Sequence, residues 1–257
     1  MSMLSYRLRG VARFLLPTSA RRGVSELLNL FCGCRRAGLQ EYLALRLAHG
    51  RDLRSFRAHS LRFPLMYRAG TTDSKVIIGT IVREEYATPL LPDRAGVIID
   101  AGANVGDVSC WLLSRYPDAI VIAIEPSPDT FAVLKQNLEP YGSRAVAVNA
   151  ALWSGPCDLR LGREETACAT VTHPAGGGGL VTGVSLPMLL DRYGRIDNNI
   201  IIFKCNIEGA DREVFGVSPE RWMDRIGMII VDTHGPDAER IVLESASRNG
   251  FSCARYG

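Results

Sequence analysis

The sequence predicts an α/β fold: a mostly parallel sheet with helices on both faces, preceded by a helical N-terminal extension. Two observations carry that expectation. From Val97 onward, short and nearly continuous apolar runs alternate with helix-compatible stretches, the pattern of strands buried on both faces. A glycine-containing turn, Asp100-Ala101-Gly102-Ala103-Asn104-Val105-Gly106, follows the first of these runs and opens a helix. At 257 residues the chain suffices for one sizeable domain plus an extension. The expected division is 1–60 for the extension and 61–257 for the α/β domain.

In the extension, residues 24–31 and 38–48 read as helices, the second with Leu39, Tyr42, Leu43 and Leu47 at helical spacing. Residues 61–69 read as extended, with Pro64 arguing for a sheet edge. Residues 74–86 read as a helix ending before Pro89. In the α/β domain, strands are expected at Val97–Ile99, Ala119–Ile124, Ala145–Val148, Asn199–Phe203 and Ile226–Val231. Helices are expected at Gly106–Arg115, Asp129–Leu138 and Ala238–Arg248. A last short strand is expected at Phe251–Arg255, so the sheet shows one strand after the fifth where two are usual for such sheets.

Charge is unevenly spread. Residues 1–72 hold thirteen Arg against three acids (Glu26, Glu41, Asp52), a net of +10. The whole chain carries +3, so the remainder carries −7. The basic arm suits a solvated helical face, and a membrane surface, nucleic acid or acidic partner is the alternative. No apolar run approaches the roughly 18 residues of a membrane span, and no secretory signal is expected. Seven cysteines, odd in number and scattered, with four histidines, indicate neither a disulfide framework nor a zinc site. Free thiols in a reducing cytoplasm are expected.

Gly102 and Gly106 let the 100–106 turn bend sharply and approach a ligand closely, and the following helix offers its N-terminal amides. The spacing is G-x-x-x-G and not the G-x-G-x-x-G of a pyrophosphate site, which argues against a nicotinamide-dependent oxidoreductase. The carboxylate of Asp100 at the strand end suits a cationic nucleoside such as S-adenosylmethionine (SAM). Glu125, followed by Pro126 at the end of the second strand, stands where a carboxylate accepts both ribose hydroxyls. Asn149 and Ala150, at the end of the third strand, stand where the adenine would lie.

Taken together, these stretches resemble the FkbM family of methyltransferases. The matching segments are Arg68-Ala69-Gly70-Thr71-Thr72-Asp73, Glu85-Tyr86, Ile98 through Gly106, Ile124-Glu125-Pro126, Val148 through Leu152 and Phe203 through Asp211, in consistent order across about residues 62–233. The resemblance implies the class I SAM-methyltransferase Rossmann-like fold and O-methylation of a hydroxyl on a sugar, glycolipid or polyketide. It also implies that Thr72, Asp73, Glu85 and Tyr86 close the methionine end of a pocket floored by Asp100, Gly102, Asn104 and Gly106, with Glu125 on the ribose. One departure is plain: the family shows Lys-Ile-Asp-x-Glu-Gly-x-Glu after the fourth strand, whereas Asn206 and Asp211 stand at the first and last acidic positions here. Asn206 hydrogen-bonds but cannot take a proton, and its presence argues against a Mg²⁺ site, so a metal-independent reaction is expected.

Methyl transfer to an alcohol calls for alignment and a nearby base. Glu208, Asp232 and His234 are the candidates, His234 having a suitable ordinary pKa. His173, beside the Gly176–Gly179 run, is a candidate lid residue, and Lys204 is expected to be structural, paired with a carboxylate. The expected partner is a small hydroxylated acceptor and not nucleic acid, with a homodimer through the N-terminal helices. N-methylation of a protein or RNA and a catalytically silent SAM-binding module are the alternatives. Acceptor contacts are expected from 153–186 and the N-terminal helices.

Overall fold

The computed structural model describes residues 18–162, 171–172, 179–193 and 201–255. The chain divides into two compact units, Met1–Pro89 and Leu90–Gly257. The boundary therefore falls well beyond the expected residue 60. The reason is a hairpin: β1 (Leu53–Phe56) pairs antiparallel with β2 (Leu65–Arg68) in the register Leu53↔Arg68, tying together the chain on both sides of residue 60.

In the first unit, α1 (Thr18–Ala37) and α2 (Leu39–Arg46) pack where Gly33 meets the Tyr42 ring, a contact that leaves no space for a Cβ at 33. Helix α2 buries Tyr42 and Leu45, whereas Leu39, Leu43 and Leu47 are exposed, so its buried face is narrower than the spacing of apolar residues suggests. Helix α3 (Asp73–Ile77) runs into a wider, π-type turn at Ile78–Val82. The helical path stops there, two residues before Glu84 takes a left-handed φ of 54°.

The second unit holds a five-stranded parallel sheet made of β3 (Val97–Ala101), β4 (Ile120–Ile124), β5 (Ala145–Val148), β10 (Ile201–Cys205) and β11 (Met228–Val231). The order across the sheet is β11-β10-β3-β4-β5. The central strands β3 and β10 are buried throughout, which explains their unbroken apolar sequences. Helices α4 (Asp107–Arg115) and α5 (Pro128–Leu138) follow β3 and β4. The chain leaves β3 toward β4 on one side and later returns to β10 on the other, so the order reverses at β3. That reversal opens a crevice above the carboxyl ends of β3 and β10, where open α/β sheets take ligands. The sheet and its helices form the class I SAM-methyltransferase Rossmann-like arrangement.

Between β5 and β10 the chain builds a second, four-stranded sheet, ordered β6-β9-β7-β8, from β6 (Ala151–Trp153), β7 (Asp158–Leu161), β8 (Val171–Thr172) and β9 (Leu180–Ser185). Helix α6 (Leu186–Tyr193) follows it. In the 153–186 segment, from which acceptor contacts are expected, the described residues are largely sheet; His173 and the Gly176–Gly178 part of the glycine run lie outside the described residues. A short helix α7 (Asp211–Gly216) follows β10, and Phe215 and Trp222 pack on Phe203, with ring centroids of Phe215 and Trp222 5.5 Å apart.

The last expected strand does not form. Helix α8 (Pro236–Arg248) ends where the Phe251 N–H bonds the Ala246 carbonyl, just after Gly250 at φ 83°. Beyond it, Arg255 reaches back to Glu239 of α8 at 2.6 Å, so residues 251–255 follow the helix and not the sheet edge. Among the described residues, no helix is long and apolar enough to cross a membrane.

Candidate active site

Parallel register creates the floor of the crevice. Asp100 of β3 stands opposite Lys204 of β10, so their side chains emerge on the same face of neighbouring strands. Both are buried, and Lys204 Nζ lies 2.9 Å from Asp100 Oδ1. The Ser109 hydroxyl donates to Asp100 Oδ2 at 2.6 Å, and Lys204 donates further to the carbonyl of Gly102 at 2.9 Å. Asp100 therefore does not present an open carboxylate to a cationic ligand, as its position in sequence suggests. Its charge is balanced by Lys204 beneath the loop. Lys204 is structural as expected, and it acts as a clamp on the glycine turn.

The turn itself is held from within. Gly102 and Ala103 donate to the Ile124 carbonyl, Asn104 to Glu125 Oε2, Val105 to Asn104 Oδ1 and Gly106 to the Ala103 carbonyl. These five amides are committed before any ligand arrives, and the turn is rigid for that reason. Gly102 is required by its φ of 72° and because a Cβ there would overlap the carbonyl oxygen of Asn206. The steric demand at 102 thus comes from the neighbouring strand end of the same chain. Gly106, at φ 88°, has Leu134 Cδ1 only 2.7 Å from where its Cβ would lie. Asn104 adopts a left-handed φ of 50°, supported by the bond from its side chain to the Val105 N–H.

Glu125 sits at the end of β4, buried, with Oε2 accepting from Asn104 N at 3.0 Å and Oε1 from Ser127 N at 2.9 Å. Burial pushes its carboxyl above the usual range, opposed by those two amide bonds and by the Lys204 charge. Each carboxylate oxygen keeps a further lone pair. Asn149 spends its amide N–H groups on the carbonyls of Glu125 (2.8 Å) and Pro126 (3.2 Å), lashing the end of β5 to that of β4. The Ala150 N–H bonds the Val148 carbonyl.

On the other flank, the Asn206 N–H donates to the Ala101 carbonyl at 3.0 Å, and its side-chain amide reaches Asp232 Oδ2 at 3.4 Å. Asn206 thus joins the ends of β3, β10 and β11. His234 follows β11; its backbone N–H donates to Asp211 Oδ2 at 3.1 Å, and its Nδ1 lies 3.8 Å from the same oxygen. Contact with Asp211 raises the His234 pKa, burial opposes this, and the charges of Asp232 and Glu208 add to the rise. Asp232 thus meets Asn206 at the ends of β10 and β11, and the charges of Asp232 and Glu208 reach His234.

Thr72, Asp73, Glu85 and Tyr86 all lie in the first unit. Asp73 is buried and already engaged: it accepts from the Arg68 backbone N–H at 2.8 Å and from Arg68 Nε and Nη2 at 2.9 Å each. Glu85 bonds Arg83 at 3.5 Å and lies against Gly79. Among the described residues, no group of three or more His, Cys, Asp or Glu side chains is placed to hold a metal.

No protein-family model matches the sequence. "Methyltransferase 1" of Beauveria bassiana is 25% identical over 203 residues, 66% of this chain and 77% of that protein. "Methyltransferase sdnD" of Sordaria araneosa is 29% identical over 202 residues, 62% of this chain and 74% of that protein. The chain is a SAM-dependent methyltransferase. More distantly, the release factor glutamine methyltransferase of Geobacter sulfurreducens is 26% identical over 159 residues, 56% of this chain and 55% of that protein.

Sequence reasoning missed three parts of this methyltransferase's site. Ser109 as a partner of Asp100 was legible only as a serine nine residues on, and nothing in the pattern singles it out. The clamp from Lys204 onto Gly102 follows from strand register, which the sequence does not print. Asp211 was visible only as a replacement for a glutamate, and its contact with His234 depends on how α7 and the turn after β11 meet.

Proposed function

We propose that this methyltransferase acts on a hydroxyl group of a small molecule, in a metal-independent in-line transfer, and that it belongs with the FkbM-like enzymes. The observation that carries this reading is the position of His234 with Glu208 and Asp232 at the ends of β10 and β11, flanking the glycine turn. An alcohol holds its proton tightly, and a titratable base at the methyl position is what such an acceptor needs. When bound, SAM would supply an electrophilic methyl group carried on a positively charged sulfur that can depart as a neutral thioether.

The residues of the chain divide the remaining work. Glu125 takes the ribose hydroxyls with the lone pairs its two amide bonds leave over, and Pro126 shapes that end of the crevice. The Asn149 side-chain oxygen accepts from the adenine amine, and Ala150 packs beside the base. Gly102, Asn104 and Gly106 line the methionine end over a floor that Asp100 and Lys204 stiffen. Asn206 holds the strand ends in register at the methyl position. His234 takes the acceptor proton, and Glu208 and Asp232 stabilise the imidazolium that results. Within the first unit, Asp73 fixes the backbone at the start of α3 through Arg68. The exposed Leu39, Leu43 and Leu47 of α2 form the contact of a homodimer, and the free thiols suit a cytoplasmic setting.

The test is a screen of methyl transfer from labelled SAM to hydroxylated sugars and polyketides, with peptides and RNA in parallel. The reading requires turnover on a hydroxyl acceptor, reduced about 10²-fold or more in His234→Gln. Transfer to RNA or peptide alone would replace it with the N-methylation reading, which the arginine-rich segment 1–72 and the likeness to the release factor glutamine methyltransferase of Geobacter sulfurreducens favour.

A further inference from the structure

Asp211 is a buried charge to which the mechanism above gives no task. Asp211, at the first position of α7, has a side chain only 2% exposed, yet it carries a carboxylate at the rim of the catalytic crevice. A buried carboxylate is costly unless charge or hydrogen bonds compensate it. Oδ2 answers to one residue twice: it accepts the His234 backbone N–H at 3.1 Å and stands 3.8 Å from His234 Nδ1. That ring nitrogen is itself shut off from solvent and has no hydrogen-bond partner within range among the described residues. The imidazole as a whole is 31% exposed, so its accessible edge is the opposite one, which carries Nε2.

We propose that Asp211 is the positioning residue for His234, holding the imidazole with Nδ1 inward and protonated and with Nε2 turned out to receive the acceptor proton. The inference rests on the reading of His234 as the base and adds what fixes its tautomer and direction. A carboxylate facing one ring nitrogen places the neutral ring's proton on that nitrogen and leaves the other as the basic lone pair. A closure of under 1 Å brings the 3.8 Å separation into hydrogen-bond range, and such catalytic contacts tighten when the substrate is bound. The backbone bond to the same oxygen already fixes where the imidazole starts.

Three acidic groups face His234: Asp211 from α7, Asp232 from the end of β11 and Glu208 from the turn after β10. Asp232 is partly engaged by the Asn206 amide at 3.4 Å. Arg212, next to Asp211, pairs with Asp237 at 3.5 Å. Asp211 alone combines burial with contact at both the backbone and the ring, so its removal acts on direction as well as charge.

The experiment follows the imidazole itself. Full-length protein labelled with ¹⁵N is titrated while long-range ¹H–¹⁵N spectra report the protonation and tautomer of His234. His234→Gln identifies the resonance among the four histidines. In the native protein the midpoint should lie above the ordinary 6.5 and the neutral ring should carry its proton on Nδ1. Asp211→Asn, which keeps the shape, should lower the midpoint by about one pH unit and mix the tautomers. An unchanged midpoint and tautomer in a folded Asp211→Asn protein overturns the proposal. Should that variant fail to fold, a native midpoint at or below 6.5, or a neutral ring protonated on Nε2, overturns it equally. The acid limb of kcat, measured on the hydroxyl acceptor found by screening, separates the two readings. If the NMR midpoint falls in Asp211→Asn and the limb stays, Asp211 positions the ring and the base lies elsewhere.

Discussion

Replacing Lys204 by Met tests how the floor of the crevice is held. The change keeps most of the apolar stem and removes the ammonium, leaving the Asp100 carboxylate buried with only Ser109 to satisfy it. Removing one member of a buried ion pair costs on the order of 3–5 kcal/mol, because the surviving charge is stranded. The same ammonium bonds the Gly102 carbonyl at 2.9 Å, so the glycine turn loses its clamp as well. Replacing both partners, as in Asp100→Asn with Lys204→Met, removes the stranded charge and should recover at least half of that loss. Urea unfolding followed by tryptophan fluorescence suits the measurement, since Trp111, Trp153 and Trp222 are all buried in the second unit. Calorimetry on the same proteins should show that SAM binds more weakly to Lys204→Met than to the native protein. A single variant destabilised by less than about 1 kcal/mol, or a double variant no better than Lys204→Met, would refute the reasoning; the pair would then be no more than a surface-strength contact.

Three further expectations follow from the site. Gly102→Ala should lower SAM affinity and stability together, because the added methyl meets the Asn206 carbonyl and not the cofactor alone; a variant of native stability contradicts that account. Glu125→Ala should weaken SAM by at least about 10-fold, since even one bond to a charged group contributes about 1.5–3 kcal/mol, and unchanged affinity by calorimetry removes Glu125 from the ribose. The pH dependence of stability should reveal the pair of Asp211 and His234. The folded His234 pKa is raised, so its contribution is present below 6.5 and lost as pH rises through the folded value; for Asp211, burial is outweighed by His234 and the pKa falls below 3.8, so its contribution is present above 3.8 and lost on acidification. Asp211→Asn should therefore destabilise more at pH 5.5 than at pH 9, and equal losses at the two pH values in denaturant titrations would dissociate the two residues.

Much of the core was legible because strands buried on both faces cannot alternate. Val97-Ile98-Ile99 and Ile120 to Ile124 announce themselves as runs, and the turn at Gly102 and Gly106 announces the positive φ it needs. What was not legible depended on partners. Ala151-Leu152-Trp153 and Leu180 to Ser185 are short, and they read as loop until β6 and β9 pair with each other. Phe251 to Arg255 looks apolar enough for a strand, but the turn at Gly250 and the bond from Arg255 to Glu239 keep it on α8. At the candidate site, residue identities pointed to the strand ends that border the crevice, while their contacts followed from register. Asp100 reads as a ligand for a cation and proves to be half of a buried pair, because β10 places Lys204 directly beside it. His234 was singled out from residue type, but the carboxylate beside it was not legible, since Asp211 and His234 meet only through the fold.

The most direct test of the whole account is calorimetric titration of the purified protein with SAM, S-adenosylhomocysteine and NAD. A site built on the turn at 100–106 with Glu125 at its edge should bind both sulfur nucleosides with micromolar affinity and leave NAD unbound. Binding of NAD in their place, or of none of the three, would contradict the assignment of this crevice to SAM.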